Sequence, residues 1–192
     1  MAEQQNKVKY NICNVHYAEL TESSDGTVTY GTPVHLPGAV SLSLDPKGDS
    51  STFYADGYAY YATFSNAGYE GDLEVALIPD HFRINILQEA LDSNKVLIEN
   101  INVESKRFAL LFEFDGDIKK IRHVFYNCSV SRPTIEGETR EESIDVKAEK
   151  LSLTASPLAS GVVKAKTGAD TTDETYNNWY KAVYQPNTEV SA

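Results

Sequence analysis

The feature that most constrains this chain is a run of aromatic residues that alternates with a period of two. Across residues 58–65, one side carries Tyr58, Tyr60, Ala62 and Phe64, and the other carries Ala59, Tyr61, Thr63 and Ser65. Successive side chains point to opposite faces of an extended strand, so this run predicts a β-strand with one buried face. The alternation returns at residues 72–77, after Gly68 and Gly71. The chain is therefore expected to build its core from strands.

One helix is inserted among these strands. Pro79 stops the preceding strand and suits the first turn of a helix, where its missing N–H costs nothing. An apolar stripe at helical spacing follows and predicts a helix near residues 79–91; its members are Phe82, Ile86, Leu87, Ala90 and Leu91. A second, short helix is predicted near residues 172–183, because Thr171 and Glu174 have the spacing of a capping box.

Turn signals connect the remaining strands. Asp25-Gly26, Asp56-Gly57 and Asp115-Gly116 are tight-turn dipeptides, and the last of them predicts a hairpin between residues 107–115 and 118–130. The segment from Pro46 to Gly57 is polar at its start and aromatic at its end, and it is too long for a two-residue hairpin turn. We expect a long loop there, and loops of that length are often functional.

Composition limits the class of protein. A chain of 192 residues suits one well-buried domain and is too short for two. Its net charge of −11 argues against a protein that reads DNA or RNA sequence, because such proteins neutralise phosphates with Lys and Arg. The polar N-terminus lacks the apolar core of a signal peptide, and no apolar run is long enough to span a membrane. We expect a soluble protein made in a cytoplasm.

The sequence gives no positive evidence for catalysis. Cys13 and Cys128 both lie in alternating strand segments, where free cysteine packs as a small apolar residue, although a disulfide between them stays open. The four histidines show no spacing typical of metal ligands. Glu113, Asp115 and Asp117 lack the pattern of a calcium-binding loop, so a hairpin turn explains them better. No catalytic residue, metal ligand, cofactor or cofactor-binding residue is expected.

The aromatic residues between Phe53 and Tyr69 are the remaining candidates for a binding surface. Most of them suit a strand-built core with one solvent-facing row of tyrosines. Phe53 and Tyr54, however, lie in or beside the long loop, where a place in the core is less automatic. Since aromatic anchors are enriched at protein interfaces, self-association and carbohydrate stacking are both open for this region.

The chain also resembles the major tail proteins, or tail tube proteins, of long-tailed phages and prophages of Gram-positive bacteria. The resemblance spans nearly the whole chain. It rests on Asp25-Gly26 followed by Thr29-Tyr30-Gly31, Ala55-Asp56-Gly57, Gly68-Tyr69-Glu70-Gly71-Asp72-Leu73 before Ile78-Pro79, Phe108-Ala109-Leu110-Leu111-Phe112-Glu113, Val124-Phe125-Tyr126-Asn127-Cys128, and Trp179-Tyr180 with Val183.

The resemblance implies a mainly β fold with two packed antiparallel sheets, sandwich-like or barrel-like, and a flanking helix. It implies one tail tube domain over residues 1–192 with N-terminal and C-terminal arms, and without the C-terminal immunoglobulin-like domain that some members carry. Six copies would form a ring by joining one sheet from each subunit into an inner barrel. Rings would stack into the tube through which DNA leaves the virion, and closing exposed strand edges in this way prevents uncontrolled pairing.

Two groups of residues receive roles under this resemblance. The long loop would contact neighbouring subunits or rings through Pro46, Lys47, Gly48, Asp49, Ser50, Ser51, Phe53, Tyr54 and Asp56. The polar or acidic residues expected to face the lumen, where their charge would keep DNA from adhering, are Ser41, Ser43, Asp45, Thr63, Ser65, Glu113 and Asp115.

The resemblance also implies partners and a location. The partners are other copies of the chain, a tape-measure protein and a tail terminator, while DNA passes through without specific binding and no membrane takes part. The protein would be made in the bacterial host cytoplasm and reside in the virion tail, without enzymatic activity.

The alternative function is a monomeric carbohydrate-binding module that stacks sugars on Tyr54, Tyr58 and Tyr61, and an acidic hydrolase has the least support.

Overall fold

A computed structural model describes residues 5–139 and 147–186 of the chain. The segments 1–4, 140–146 and 187–192 lie outside the described residues, so the ends of the two expected terminal arms are not described. Within the described residues the fold is mainly β, with 47% strand and 7% helix, which confirms the expected class. None of the described helices is long and apolar enough to cross a membrane.

The elements follow the chain from a long first strand to a short terminal helix. In order they are β1 (Lys9–Glu22), β2 (Val28–Tyr30), β3 (Val34–His35), β4 (Ala39–Lys47), β5 (Ser50–Ala55), β6 (Tyr58–Phe64), β7 (Gly68–Val75), α1 (Asp80–Asn85), β8 (Ala90–Leu91), β9 (Leu97–Ile98), β10 (Phe108–Gly116), β11 (Ile121–Val130), β12 (Glu149–Ala155), β13 (Lys164–Lys166) and α2 (Asp173–Asn178).

Nine of these strands form one antiparallel sheet. Its order is β2-β1-β10-β11-β12-β7-β4, with β3 added to β1 and β13 added to β11. The sheet curls until β4, at one end, packs against β1 near the other end. The two layers expected from the sequence are thus two parts of one barrel-like sheet. Register shifts in β1, with left-handed φ angles at Asn11 and Asn14, are the irregularities that let this long strand bend.

The main core lies inside the curl of the sheet. Val15 and Tyr17 of β1 pack there with Leu73 and Val75 of β7 and with the even-numbered residues of β10, Phe108, Leu110 and Phe112. Each of these side chains is almost fully buried. In β7 the buried residues follow the alternation that the sequence shows over residues 72–77.

Helix α1 closes one side of this core but is shorter than the predicted helix of residues 79–91. Pro79 is its N-cap residue, and Phe82 and Ile86 are buried as the apolar stripe predicts. The helix ends at Asn85 because Gln88 adopts a left-handed φ of 61° and its side-chain amide donates to the carbonyls of Ile84 and Asn85. Leu91 is consequently exposed on β8 instead of buried on a helix.

A second apolar cluster lies on the opposite face of the central strands. Helix α2 begins after Thr172, whose side chain accepts from the Thr175 N–H, so the N-cap is one residue later than the predicted capping box places it. The chain beyond α2 buries Trp179 and Val183 against the outward-facing residues of the sheet, which are Ala18, Ala109, Leu111, Val124 and Tyr126. Strands β10 and β11 are therefore buried on both faces.

The strands β5 and β6 stand apart from the main sheet. They pair only with each other among the described strands, and the Asp56-Gly57 turn joins them with φ angles of 52° and 79°, the signs of a type I′ turn. The long loop predicted from Pro46 to Gly57 is therefore wrong. Strand β4 continues to Lys47, where Pro46 is tolerated because β4 is the edge strand, and β5 forms most of the rest.

The buried face predicted for β6 is wrong for the single chain. All seven residues of β6 are exposed, including the aromatic residues at positions 58, 60, 61 and 64. Alternation identifies a strand, but what covers that strand depends on the rest of the structure.

Truncating an aromatic residue should destabilise the protein if the residue lies in the core of the curled sheet, and should have little effect if it lies on the projecting hairpin. Phe82 contacts Tyr17 and Phe108 edge to face, with ring centroids 5.0 Å and 5.7 Å away. Phe82→Ala should lower the free energy of unfolding by about 3–5 kcal/mol, measured by chemical denaturation. Phe64→Ala, at a site that is 81% exposed, is the matched control and should change it by less than about 0.5 kcal/mol. Equal losses in the two variants would contradict this packing.

Stability should also depend on the protonation of His123 on β11. Its ring stacks on Phe112 with centroids 5.1 Å apart, and burial, with Lys9, Lys166 and Lys164 nearby, lowers the pKa of His123 to about 4. Between pH 6.5 and 4 the unfolded chain binds a proton that the folded chain does not, so stability falls as the pH falls.

His123→Phe keeps an aromatic ring at this position and removes the titration. The variant should lose less stability than the wild type between pH 7.5 and 4.5, by up to about 3 kcal/mol in denaturation experiments. The same loss of stability in both proteins would show that His123 does not carry this pH dependence.

Candidate functional site

The most prominent surface of the chain is the β5–β6 hairpin, residues 50–64, which we name the aromatic arm. Six of its side chains are large aromatic groups that are between 55% and 81% exposed: Phe53, Tyr54, Tyr58, Tyr60, Tyr61 and Phe64. Phe53 lies directly opposite Tyr61 across the ladder, and the Tyr58 and Tyr60 rings are 6.0 Å apart. Monomeric proteins rarely expose aromatic side chains so densely, so the arm has the character of a binding surface.

The base of the arm is fixed by close backbone packing. A Cβ atom on Gly48 would lie 2.0 Å from the Ser65 carbonyl oxygen, so only glycine fits there. The Ser65 hydroxyl accepts from the Asp49 N–H at 2.8 Å, and the Ser65 N–H donates to the Asp49 carbonyl at 2.9 Å. These contacts lie between the β4–β7 pair and the β5–β6 pair. They fix the base of the arm to the end of the β4–β7 pair.

Strand β4 presents three of the predicted lumen residues on a second surface. Ser41, Ser43 and Asp45 are exposed and lie opposite Glu74, Asp72 and Glu70 of β7, and these in turn lie opposite Lys150, Ser152 and Thr154 of β12. We name these nine residues the polar sheet face. It carries four carboxylates and one ammonium group, so its net charge is negative.

The polar sheet face is ordered by hydrogen bonds between neighbouring strands. The Ser41 hydroxyl donates to Glu74 at 2.8 Å, and the Ser152 hydroxyl donates to Asp72 at 2.7 Å. Lys150 lies 2.7 Å from Asp72, and these hydrogen bonds from Lys150 and Ser152 lower the pKa of Asp72. Asp72 therefore stays ionised near neutral pH. The carboxylates of β7 were missed as site residues, although their alternation with Leu73 and Val75 placed them on the non-core side.

The other predicted lumen residues do not join this surface. Thr63 and Ser65 lie on the aromatic arm and at its base, away from the polar sheet face, since β6 is not part of the main sheet. Asp115 is half-buried at the end of β10 and accepts a hydrogen bond from the Asn11 side-chain amide at 2.8 Å, and strands β11, β12 and β7 separate β10 from β4 in the sheet. The structure therefore does not bring the seven residues together on one surface of the single chain.

Glu113 was expected to face the lumen, but it is buried beneath the C-terminal segment. Only 3% of the residue is exposed. Its carboxylate accepts from Lys120 Nζ at 2.9 Å, Arg122 Nε at 3.1 Å and the Tyr180 hydroxyl at 3.3 Å. Arg122 in turn lies over the Tyr176 ring, 3.8 Å from its centroid. Glu113 thus anchors the segment around α2 and has no access to solvent from the outer face.

The cysteine side chains fit a role in packing. Both are free, which answers the question of a disulfide that the sequence left open. Burial raises the pKa of Cys128 to about 12, so it is a protonated thiol at neutral pH. Within residues 5–139 and 147–186, no three or more His, Cys, Asp and Glu side chains cluster in a way that could hold a metal ion.

Replacing Gly48 should loosen the aromatic arm without unfolding the core. Gly48→Ala forces a Cβ against the Ser65 carbonyl and should destabilise the base of the arm by roughly 1–3 kcal/mol. Chymotrypsin should then cleave faster near Tyr54 and Tyr58, as measured by limited proteolysis and mass spectrometry. Gly137→Ala, where a Cβ meets nothing within 4 Å, is the matched control. Unchanged cleavage in the Gly48 variant would show that the arm is not held by this contact.

No protein-family model matches the chain, and no curated protein is significantly similar to it. The function has to be inferred from the aromatic arm and the polar sheet face themselves.

Proposed function

We propose that this protein is a structural subunit that assembles with copies of itself into stacked rings, forming the tail tube of a long-tailed phage or prophage. The aromatic arm is the observation that carries the proposal. Its six aromatic side chains are exposed in the single chain. An isolated two-stranded hairpin is at best marginally stable in water, so an arm of this composition gains most from being covered by another protein surface.

A second copy of the chain is the cover we propose for the arm. With six residues in β5, the arm extends about 20 Å from its base, far enough to reach a neighbouring subunit. The same chain also carries sheet edges, at β4 on one side and at β2 and β3 on the other. An arm that binds a different part of the next copy makes a head-to-tail contact, and such contacts close into rings or extend into filaments.

The polar sheet face supports a conduit for DNA. Ser41, Ser43 and Asp45 remain candidates for the lumen, now joined by Glu70, Asp72 and Glu74 from the adjacent strand. A channel lined by carboxylates and hydroxyls repels the phosphate backbone and offers few groups that bind it. The proposed lumen surface therefore consists of the β4 residues together with those of β7, and it no longer includes Thr63, Ser65, Glu113 and Asp115.

The remaining expectations follow from this function. A tube subunit acts without catalysis, resides in the virion tail after synthesis in the host, and meets a tape-measure protein inside the tube and a terminator at its end. Six copies per ring is the number that the sequence resemblance implies.

The experiment compares assembly of the full chain with that of an arm variant. We expect the wild type to form rings or tubes of uniform width, seen by size-exclusion chromatography with light scattering and by negative-stain electron microscopy. Tyr54→Ser, Tyr61→Ser and Phe64→Ser combined should reduce assembly at least about tenfold, because a few buried aromatic anchors dominate most interfaces. The thermal midpoint of the monomer should barely change, since these side chains are exposed.

A matched control replaces two exposed apolar residues away from the arm, Leu77→Ser and Ile101→Ser. This control should assemble as the wild type does. A wild-type chain that stays monomeric at high concentration would overturn the proposal. If that monomer bound glycans through Tyr54, Tyr58 and Tyr61, the carbohydrate-binding module would be the better function.

A further inference from the structure

Two histidines that lie far apart in the sequence face each other at the edge of the main sheet. His16 on β1 is directly opposite His35 on β3 in the antiparallel register. Their ring centroids are 5.0 Å apart, and the ring planes are inclined by 53°. The two histidines are 19 residues apart in the sequence, and only the pairing of β3 with β1 brings their rings together.

A backbone irregularity fixes the orientation of the His16 ring. Asn14 has a left-handed φ of 54°, within the register shift between Cys13 and His16. Its carbonyl oxygen lies 2.9 Å from His16 Nδ1. A carbonyl only accepts hydrogen bonds, so Nδ1 carries the proton and donates it, which leaves the Nε2 lone pair of the neutral ring free. This arrangement, in which one ring nitrogen is held by a carbonyl and the other is open, is typical of histidines that bind metal ions.

The surroundings of the pair favour a ligand between the two rings. The Tyr180 ring packs against His16, with centroids 4.6 Å apart, and limits its rotation. His35 is exposed on a two-residue strand, so its side chain changes rotamer readily and can turn a nitrogen toward His16. The pair thus consists of one positioned imidazole and one adaptable imidazole.

The distance between the rings suits one shared metal ion. With nitrogen–metal bonds of about 2.0–2.1 Å, two imidazoles on a tetrahedral ion have ring centroids roughly 5 Å apart. We propose that His16 and His35 form a cross-strand chelate for a divalent transition-metal ion such as Zn²⁺, with water in the other coordination positions. The ion would join β3 to β1 and hold the chain segment of residues 31–38 on the sheet.

The chemistry of the donor set defines which ions bind. Imidazole nitrogen suits Cu²⁺, Ni²⁺ and Zn²⁺, whereas Mg²⁺ and Ca²⁺ prefer oxygen ligands. A site with two protein ligands binds more weakly than a structural zinc site with four, so the ion is expected to exchange with solution. The site does not depend on ring assembly, and it would exist in a monomer as well as in a tube.

The test is isothermal titration calorimetry of Zn²⁺ into the full chain after removal of metals with a chelator. We expect one ion per chain, tighter binding of Cu²⁺ than of Zn²⁺, and no binding of Mg²⁺. His35→Gln should weaken Zn²⁺ binding at least about tenfold, which is the smallest loss expected even for an outer partner of a metal ligand. Since His35 is exposed, this variant should fold normally.

Two further variants complete the experiment. Val34→Gln changes the neighbouring exposed residue of β3 and should bind Zn²⁺ as the wild type does. His16→Gln should weaken binding as His35→Gln does, and circular dichroism checks its fold. Absent binding by the wild type, or equal binding by the wild type and His35→Gln, would overturn the proposal. Binding by chains that form no rings would leave the metal site standing and would count only against the proposed tube function.

Discussion

The burial of β10 and β11 on both faces is the constraint on which the rest of the structure depends. One face supplies Phe108, Leu110 and Phe112 to the main core, and the other lies under Trp179 and Val183. A carboxylate in such a place must be paired, because an unpaired buried charge costs several kcal/mol. Glu113 meets this requirement with Lys120, Arg122 and Tyr180, so a single buried acid ties the C-terminal segment to the sheet. At the other end of the sheet, β4 carries exposed residues on its non-core face.

The pairing of β4 with β7 at this end of the sheet supports two different surfaces. Near its middle, one side of the ladder packs Leu42 and Leu73 on the core and the other side presents Ser43 and Asp72. Farther along, at the contact between Gly48 and Ser65, the ladder leaves the core and becomes the aromatic arm. The β4 and β7 residues of the polar sheet face therefore lie on the same two chain segments that continue into β5 and β6 of the arm.

Local patterns predicted the elements well and their surroundings poorly. The period of two found the strands, Asp56-Gly57 marked the true turn of the arm, and the helical stripe correctly placed Phe82 and Ile86 in the core. The helix was too long because the left-handed conformation of Gln88 leaves no signal in hydrophobic spacing. Glu113 was placed in the lumen because a strand pattern says that a residue points away from the core, not that α2 covers it. Likewise, only strand pairing brings His16 beside His35.

The sequence pattern predicts a buried face for β6, but the aromatic residues of β6 are exposed in the single chain. This difference bears on assembly. Tyr58, Tyr60 and Phe64 alternate as a strand with a buried face does, yet the single chain covers none of them. Alternation of large aromatic residues with small residues is the pattern of a strand that packs on something. A strand that shows this pattern in its sequence and exposes both faces in the monomer is best explained if its cover belongs to another molecule. Under the proposed function that cover is the next copy of the chain, and the buried face predicted for β6 forms only in the ring.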